Sequence, residues 1–203
     1  MSIHDVFKVP VYKAQLNLDI KKLQSFCNEY QQNNTGRIIS NIGGYQSNDL
    51  PLNNTSLHPL IKEINTHSSK FAKEFLVDNG QTLSNMWMNS NLYKDTNKSH
   101  NHPGCDISGV YYVKTPDDCG NIVFEHPMKD VFGYYFKYLE NPNEYNSTFW
   151  SKPVAENALY LFPGWLNHYV DPNLNKTEER ISISFNTSSI ANRRKKLLDS
   201  IKG

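Results

Sequence analysis

Two apolar stripes at helical spacing open the chain, and alternating positions follow them. Over residues 18–30, Leu23, Phe26, Cys27 and Tyr30 recur at intervals of three and four, which predicts a helix with one apolar face and Asn17 as its cap. Residues 31–56 are rich in Asn, Gly, Ser and Thr and read as loop, with a short strand at Arg37–Ile39. Leu60, Ile61, Ile64, Phe71 and Phe75 predict a second helix over Ser56–Val77. Pro59 falls in its first turn and Asn79-Gly80 at its end. Both stripes read as scaffold that faces a core.

From residue 85 the period falls to two. Met86–Tyr93 alternates, with Trp87, Asn89 and Asn91 on one face and Met86 and Met88 on the other. Ile107–Val113, Asn121–Phe124, Ala158–Phe162 and Arg180–Asn186 also read as strands, and His168 as part of a further short one. No helical pattern separates them regularly, which excludes a parallel βαβ sheet. Short strands joined by Pro, Gly and Asn turns predict an antiparallel sandwich or jelly roll, with the two helices packed outside. Residues 127–157 interrupt the sheet with a run of aromatics and form a candidate substrate-covering lid.

Composition narrows the class. The chain has 203 residues, enough for one domain with a real core, and a formal net charge of +1. The domain reading is a single unit: a helical support over 1–84, the strand-rich part over 85–190 and a basic tail over 191–203. The near-neutral balance argues against a nucleic-acid partner, and Arg193, Arg194, Lys195 and Lys196 read as a solvated helix end. No apolar run is long enough for a membrane span, and the first ten residues lack a secretory layout. Three irregularly spaced cysteines, Cys27, Cys105 and Cys119, give no disulfide framework, so the expected setting is reduced and cytoplasmic.

Three segments could carry chemistry. In Ser99-His100-Asn101-His102-Pro103-Gly104, the two histidines are two positions apart at a strand end and so point to one side, where imidazoles suit a transition metal. His168 follows the apolar strand and turn of Leu161–Leu166; alone it reads first as a core histidine and second as a ligand. In Arg180–Asn186 the alternation is strict. Ile181, Ile183 and Phe185 share one face, and Arg180, Ser182, Ser184 and Asn186 the other. An inward arginine with a hydroxyl two residues on can hold a carboxylate through charge-assisted bonds, or pair with an internal Asp or Glu.

Taken together, this ordered set resembles the Fe(II)- and 2-oxoglutarate-dependent oxygenases. It is most similar to the 2-oxoglutarate/iron oxygenases of marine bacteria and their phages, on His100–Pro103, Ser108–Tyr112, Phe162–His168 and Arg180–Asn186. The resemblance implies a mainly β fold with flanking helices, a double-stranded β-helix of cupin-like jelly-roll type. It implies Fe(II) and 2-oxoglutarate as cofactors, and hydroxylation of a small-molecule or peptide substrate, prolyl by analogy. His168 would be the distal iron ligand and one or both of His100 and His102 the proximal ones. Arg180 would hold the far carboxylate of 2-oxoglutarate with Ser182 helping, and Tyr112 would line its pocket.

The family pattern puts an acid two residues after the first histidine. Here His102 follows His100 and Gly104 follows His102. Three arrangements are open: a site of His100, His102 and His168; a site of His102 and His168 with nothing at the third position; or Asp106 reaching in after a longer turn. The first needs no special backbone. Two other functions fit parts of the pattern. A three-histidine dioxygenase without 2-oxoglutarate explains the histidines but not Arg180 and Ser182. A non-catalytic β-sandwich binding module makes the histidines incidental.

Overall fold

A computed structural model describes Ser2, His4 and residues 6–75, 80–135 and 141–189. The elements in chain order are β1 (Tyr12–Gln15), α1 (Ile20–Asn33), β2 (Asn41–Ile42), β3 (Tyr45–Gln46), α2 (His58–Ala72), β4 (Gln81–Asn91) and β5 (Thr96–His100). They continue with β6 (Ile107–Lys114), β7 (Ile122–Glu125), α3 (Lys129–Tyr135), β8 (Phe149–Lys152), β9 (Ala158–Pro163), β10 (His168–Val170) and β11 (Arg180–Ser189).

The strands form two antiparallel sheets, a six-stranded one ordered β1-β9-β6-β11-β4-β3 and a five-stranded one ordered β2-β5-β10-β7-β8. This is the double-stranded β-helix. From β4 to β7 and again from β8 to β11 consecutive strands alternate between the sheets, so residues far apart in sequence meet in the space between them.

Alternation along β4, β6 and β11 sorts side chains into two cores. Met86, Met88, Ile181, Ile183 and Phe185 face outward and pack with Leu23, Phe26, Leu60, Ile64 and Phe71 of the helices. Between the sheets, Val110, Tyr112, Ile122, Phe124, Tyr160, Phe162 and Leu166 form the second core. The polar residues of β4 and β11 therefore point into the same interior as this second core, where they line a cavity.

Several boundaries move from the sequence expectation. α1 starts at Ile20, because Asp19 rather than Asn17 caps it: Asp19 Oδ1 accepts from Lys22 N at 3.0 Å. Leu18 N donates to Asn157 Oδ1 at 3.1 Å, which ties that residue to the turn before β9 instead. α2 spans His58–Ala72 with Pro59 in its first turn, and ends before the expected Val77. Arg37–Ile39 is not a strand; β2 and β3 follow it. The described residues of the interrupting segment include a helix and a strand. Its α3 buries none of its residues, and its β8 adds to β7 as the last strand of the smaller sheet. The basic tail lies outside the described residues.

Candidate metal and carboxylate site

β5 was not evident in the sequence because Thr96–His100 carries no apolar residue. Pairing with β10 makes it a strand. His168 stands opposite His100 and Val170 opposite Asn97, so three residues of β5 span two of β10 and the register shifts between them. This irregularity turns both Asn97 and His100 toward the cavity.

The turn after β5 brings in His102. His102 N donates to Gly164 O at 2.8 Å, and Gly164 N donates to Asp106 O at 3.0 Å. Gly164 belongs to the turn between β9 and β10, so both histidine-bearing segments are fastened at one residue. No side chain fits there: a Cβ on Gly164 would lie 2.4 Å from Cys105 O. On the solvent side, Asn101 Nδ2 donates to Asn167 Oδ1 at 2.9 Å and links the same two segments again.

One ring nitrogen from each of His100, His102 and His168 lies within 4.8 Å of the others. His100 Nδ1 lies 2.7 Å from Lys98 O and His168 Nδ1 lies 2.9 Å from Leu166 O. A carbonyl only accepts, so both Nδ1 atoms carry the proton and both Nε2 atoms present lone pairs. His102 Nε2 is 3.3 Å from His168 Nε2. Two imidazole nitrogens about 2.0–2.1 Å from a shared ion would stand about 2.8–3.4 Å apart at right to tetrahedral angles. The spacing and donor type thus fit a first-row divalent ion.

The cluster is desolvated. His168 is buried on β10 and rings pack around it, with Phe162 at 4.5 Å and Phe124 at 6.3 Å between centroids. Trp87 of β4 stacks on His102 at 5.6 Å. Burial pushes His100 below its ordinary value, pushes His102 down to about 4 and holds His168 well below, with repulsion from neighbouring rings adding at the last two. All three imidazoles are therefore neutral at physiological pH, which is the ligating form.

The same cavity extends along β11 to Arg180. It encloses about 480 Å³ with its open mouth included, and among the described residues no Asp or Glu lines it. Arg180 is buried, and its Nη1 donates to Cys119 O and, at 3.1 Å, to Asp171 O. Its Nη2 has no partner, and neither has the buried hydroxyl of Tyr112. Tyr112 sits opposite Ser182 in the β6–β11 pair, and Asn89 of β4 sits opposite Ser182 on the other side. All of these residues line the cavity.

Residues 85–186, half of the chain, match the family described as "Putative 2OG-Fe(II) oxygenase". The chain belongs to that family. No curated protein matches the sequence. Solved structures share the fold at low identity. A prolyl-4-hydroxylase of Pseudomonas putida aligns with a TM-score of 0.61 and 11% identity over 89% of this chain and 93% of its own. A viral collagen prolyl hydroxylase from Paramecium Bursaria Chlorella virus-1, in complex with 2OG, aligns at 0.57 and 12% over 89% and 96%. The α-ketoglutarate-dependent epimerase SnoN from nogalamycin biosynthesis aligns at 0.62 and 13% over 89% and 79%.

The donors of the site are all imidazoles. The cluster holds three histidines and no carboxylate among the described residues. Asp106 is turned elsewhere: its Oδ2 accepts from Gln81 Nε2 at 3.1 Å and from Ser189 N at 2.7 Å. That engagement rules against the arrangement in which Asp106 reaches the histidines. His100, His102, His168, Arg180, Ser182 and Tyr112, all singled out in the sequence, meet in one cavity. Trp87, Asn89 and Asn97 join them unforeseen, and Phe124 packs against His168. Their only sequence signal is a polar or aromatic residue on the inward face of a strand. No described helix is long and apolar enough to cross a membrane.

Proposed function

We propose that the protein is an Fe(II)- and 2-oxoglutarate-dependent oxygenase, a hydroxylase of a small-molecule or peptide substrate, with iron held by His100, His102 and His168. The observation that carries the 2-oxoglutarate part is the unpartnered Nη2 of Arg180 beside the unpartnered hydroxyl of Tyr112, both buried in the histidine cavity. A buried polar group without a partner costs about 1–3 kcal/mol, more when charged, so these atoms call for an acceptor. A carboxylate supplies it and adds to the charge compensation that Asp171 and Asp95 give the guanidinium from outside the cavity lining.

Arg180 fixes one end of the diacid from the floor of the cavity. The carbonyls of Cys119 and Asp171 aim the guanidinium by holding Nη1 and leaving Nη2 free. Ser182 and Tyr112 flank that position. At the other end the neutral histidines receive the ion, and Trp87, Phe124 and Phe162 keep water from its surroundings. When bound, iron and 2-oxoglutarate supply the oxidising chemistry with O2; the chain supplies orientation and a dry site. The motif resemblance to marine bacterial and phage members, the prolyl analogy and the lid role of residues 127–157 belong to this same reading.

A second reading has its own support. The histidine-only donor set is what a three-histidine dioxygenase without 2-oxoglutarate needs. The two readings separate in an anaerobic titration of metal-free protein with Fe(II) and 2-oxoglutarate. A visible charge-transfer band that vanishes in His168→Ala and needs far more 2-oxoglutarate in Arg180→Ala supports the first. Tight iron binding with no band supports the second, and no iron binding overturns both.

A further inference from the structure

Tyr112, Ser182, Asn89 and Gln46 stand side by side across β6, β11, β4 and β3, each directly opposite the next. Opposed residues put their side chains on one face of a sheet, so the whole row faces inward. Tyr112 and Ser182 belong to the carboxylate end of the cavity. Asn89 and Gln46 carry the row away from it, to the last strand of the larger sheet. Both are buried, at 5% and 3% exposure, and Asn89 Oδ1 and Gln46 Oε1 have no hydrogen-bond partner among the described residues. Asn89 Nδ2 is already used, since it donates to Ser184 Oγ at 3.2 Å.

A third unmatched atom adjoins these two. Arg37 N donates to Gln46 O at 2.7 Å, which sets Arg37 beside the row, and its buried Nε also lacks a partner among the described residues. The Arg37 guanidinium lies 6.0 Å from the ring of Trp87, two residues before Asn89 on the same face of β4. Trp87 stacks on His102 at 5.6 Å and so joins this corner to the histidine cluster.

Charge and count decide what suits the corner. Arg37 Nη2 lies 2.9 Å from Asp49 Oδ1, so the guanidinium is already balanced. A carboxylate would face two carbonyl oxygens, and an ammonium would lie against the guanidinium. One free donor and two free acceptors match an uncharged group with one acceptor and two N–H donors. A primary carboxamide has that inventory, and it is flat enough to lie on an indole.

We infer that Arg37, Gln46 and Asn89 form a specificity subsite for a primary carboxamide of the substrate. Its oxygen accepts from Arg37 Nε, and its two N–H groups donate to Asn89 Oδ1 and Gln46 Oε1. The inference rests on the functional reading above, in which the same cavity receives the substrate. None of the three atoms meets solvent in the free protein, so the ligand enters as the side chains turn. The terminal torsions of Asn and Gln are soft enough to allow it.

The test is an NMR titration of the full, metal-free chain, read at Arg37 Nε–H and at the side-chain amides of Asn89 and Gln46. Acetamide should move all three signals. N-methylacetamide and N,N-dimethylacetamide remove the N–H groups one at a time, and each step should weaken binding by about 2–10-fold. Gln46→Met should weaken acetamide by a similar factor and leave N,N-dimethylacetamide unchanged. Equal binding along the series overturns the subsite, as does acetate moving the three signals more strongly than acetamide, or no movement at all. The series needs no variant, so it decides the matter even if Gln46→Met fails to fold. Blocked glutamine binding more tightly than acetamide assigns the carboxamide to a peptide side chain; weaker binding assigns it to a small free amide. Failure of the protein to bind Fe(II) and 2-oxoglutarate overturns the functional reading instead, and the metal-free titration still decides the subsite.

Discussion

His100 and His168 stand directly opposite each other in the β5–β10 pair, their ring centroids 4.4 Å apart. The backbone ladder therefore fixes these two rings, and a turn pinned at Gly164 adds His102. Removal of His168, the most buried of the three, should abolish Fe(II) binding, a loss of more than about 100-fold. His100→Ala should weaken binding by a smaller factor, since two opposed nitrogens remain at 3.3 Å. Anaerobic equilibrium dialysis with metal analysis reads both. Fe(II) affinity unchanged from that of the unmodified protein in either variant would contradict a shared site.

Tyr112→Phe should separate binding from stability. The hydroxyl has no partner in the free protein, so its removal should raise the stability of that form by about 1 kcal/mol. It should also weaken 2-oxoglutarate by about tenfold, because one hydrogen bond to a charged acceptor is lost. Thermal unfolding with and without 2-oxoglutarate checks both signs. A variant less stable in the free form would mean that the hydroxyl is already satisfied there.

Arg180→Met should leave Fe(II) affinity near its original value and weaken 2-oxoglutarate by about 100-fold or more, since the charged donor supplies about 1.5–3 kcal/mol for each bond. Isothermal titration of the iron-loaded protein reads it. Loss of iron binding in this variant would show that Arg180 supports the fold of the site rather than its ligand.

The metal-free protein should lose stability in acid. His102 titrates near 4 when folded, against about 6.5 when unfolded. Between these values the unfolded chain binds more protons, so stability rises with pH. The contribution is complete above about pH 6.5 and is lost as pH falls toward 4, with His100 and His168 shifted in the same direction. Melting temperatures measured over this range should fall on acidification, and His102→Asn should flatten the slope. An unchanged slope would assign the acid sensitivity to other groups.

Gly164→Ala should damage the metal site from outside it. The new Cβ would sit 2.4 Å from Cys105 O and 3.1 Å from His102 O, both backbone atoms that cannot rotate away. Forced overpacking costs about 1–3 kcal/mol, and here the strain falls on the turn that carries His102. Lower melting temperature together with weaker Fe(II) binding is expected; one without the other would separate the turn from the site.

Much of this arrangement is legible without coordinates, and particular residues show why. The sorting of Arg180, Ser182 and Ser184 from Ile181, Ile183 and Phe185 follows from the two-residue period of a strand, whatever it packs against. The same holds for Trp87, Asn89 and Asn91 against Met86 and Met88. The apolar stripes of α1 and α2 likewise follow from helical spacing. These local periodicities determined the fold class and which residues could share an interior.

Tertiary structure decided the rest. Thr96–His100 has no periodic apolar signal and becomes a strand through hydrogen bonds to β10, far along the chain. The displacement of Asp106 from the histidines depends on Gln81 and Ser189, which no spacing around Asp106 reveals. The unpartnered atoms of Arg180 and Tyr112 share one interior because β11 and β6 pair side by side in one sheet. Sequence determined which way each side chain faces, because facing is a property of the local backbone. Only the folded chain decided which side chains meet, because meeting depends on strand register, and register is fixed by bonds between segments that the sequence keeps apart.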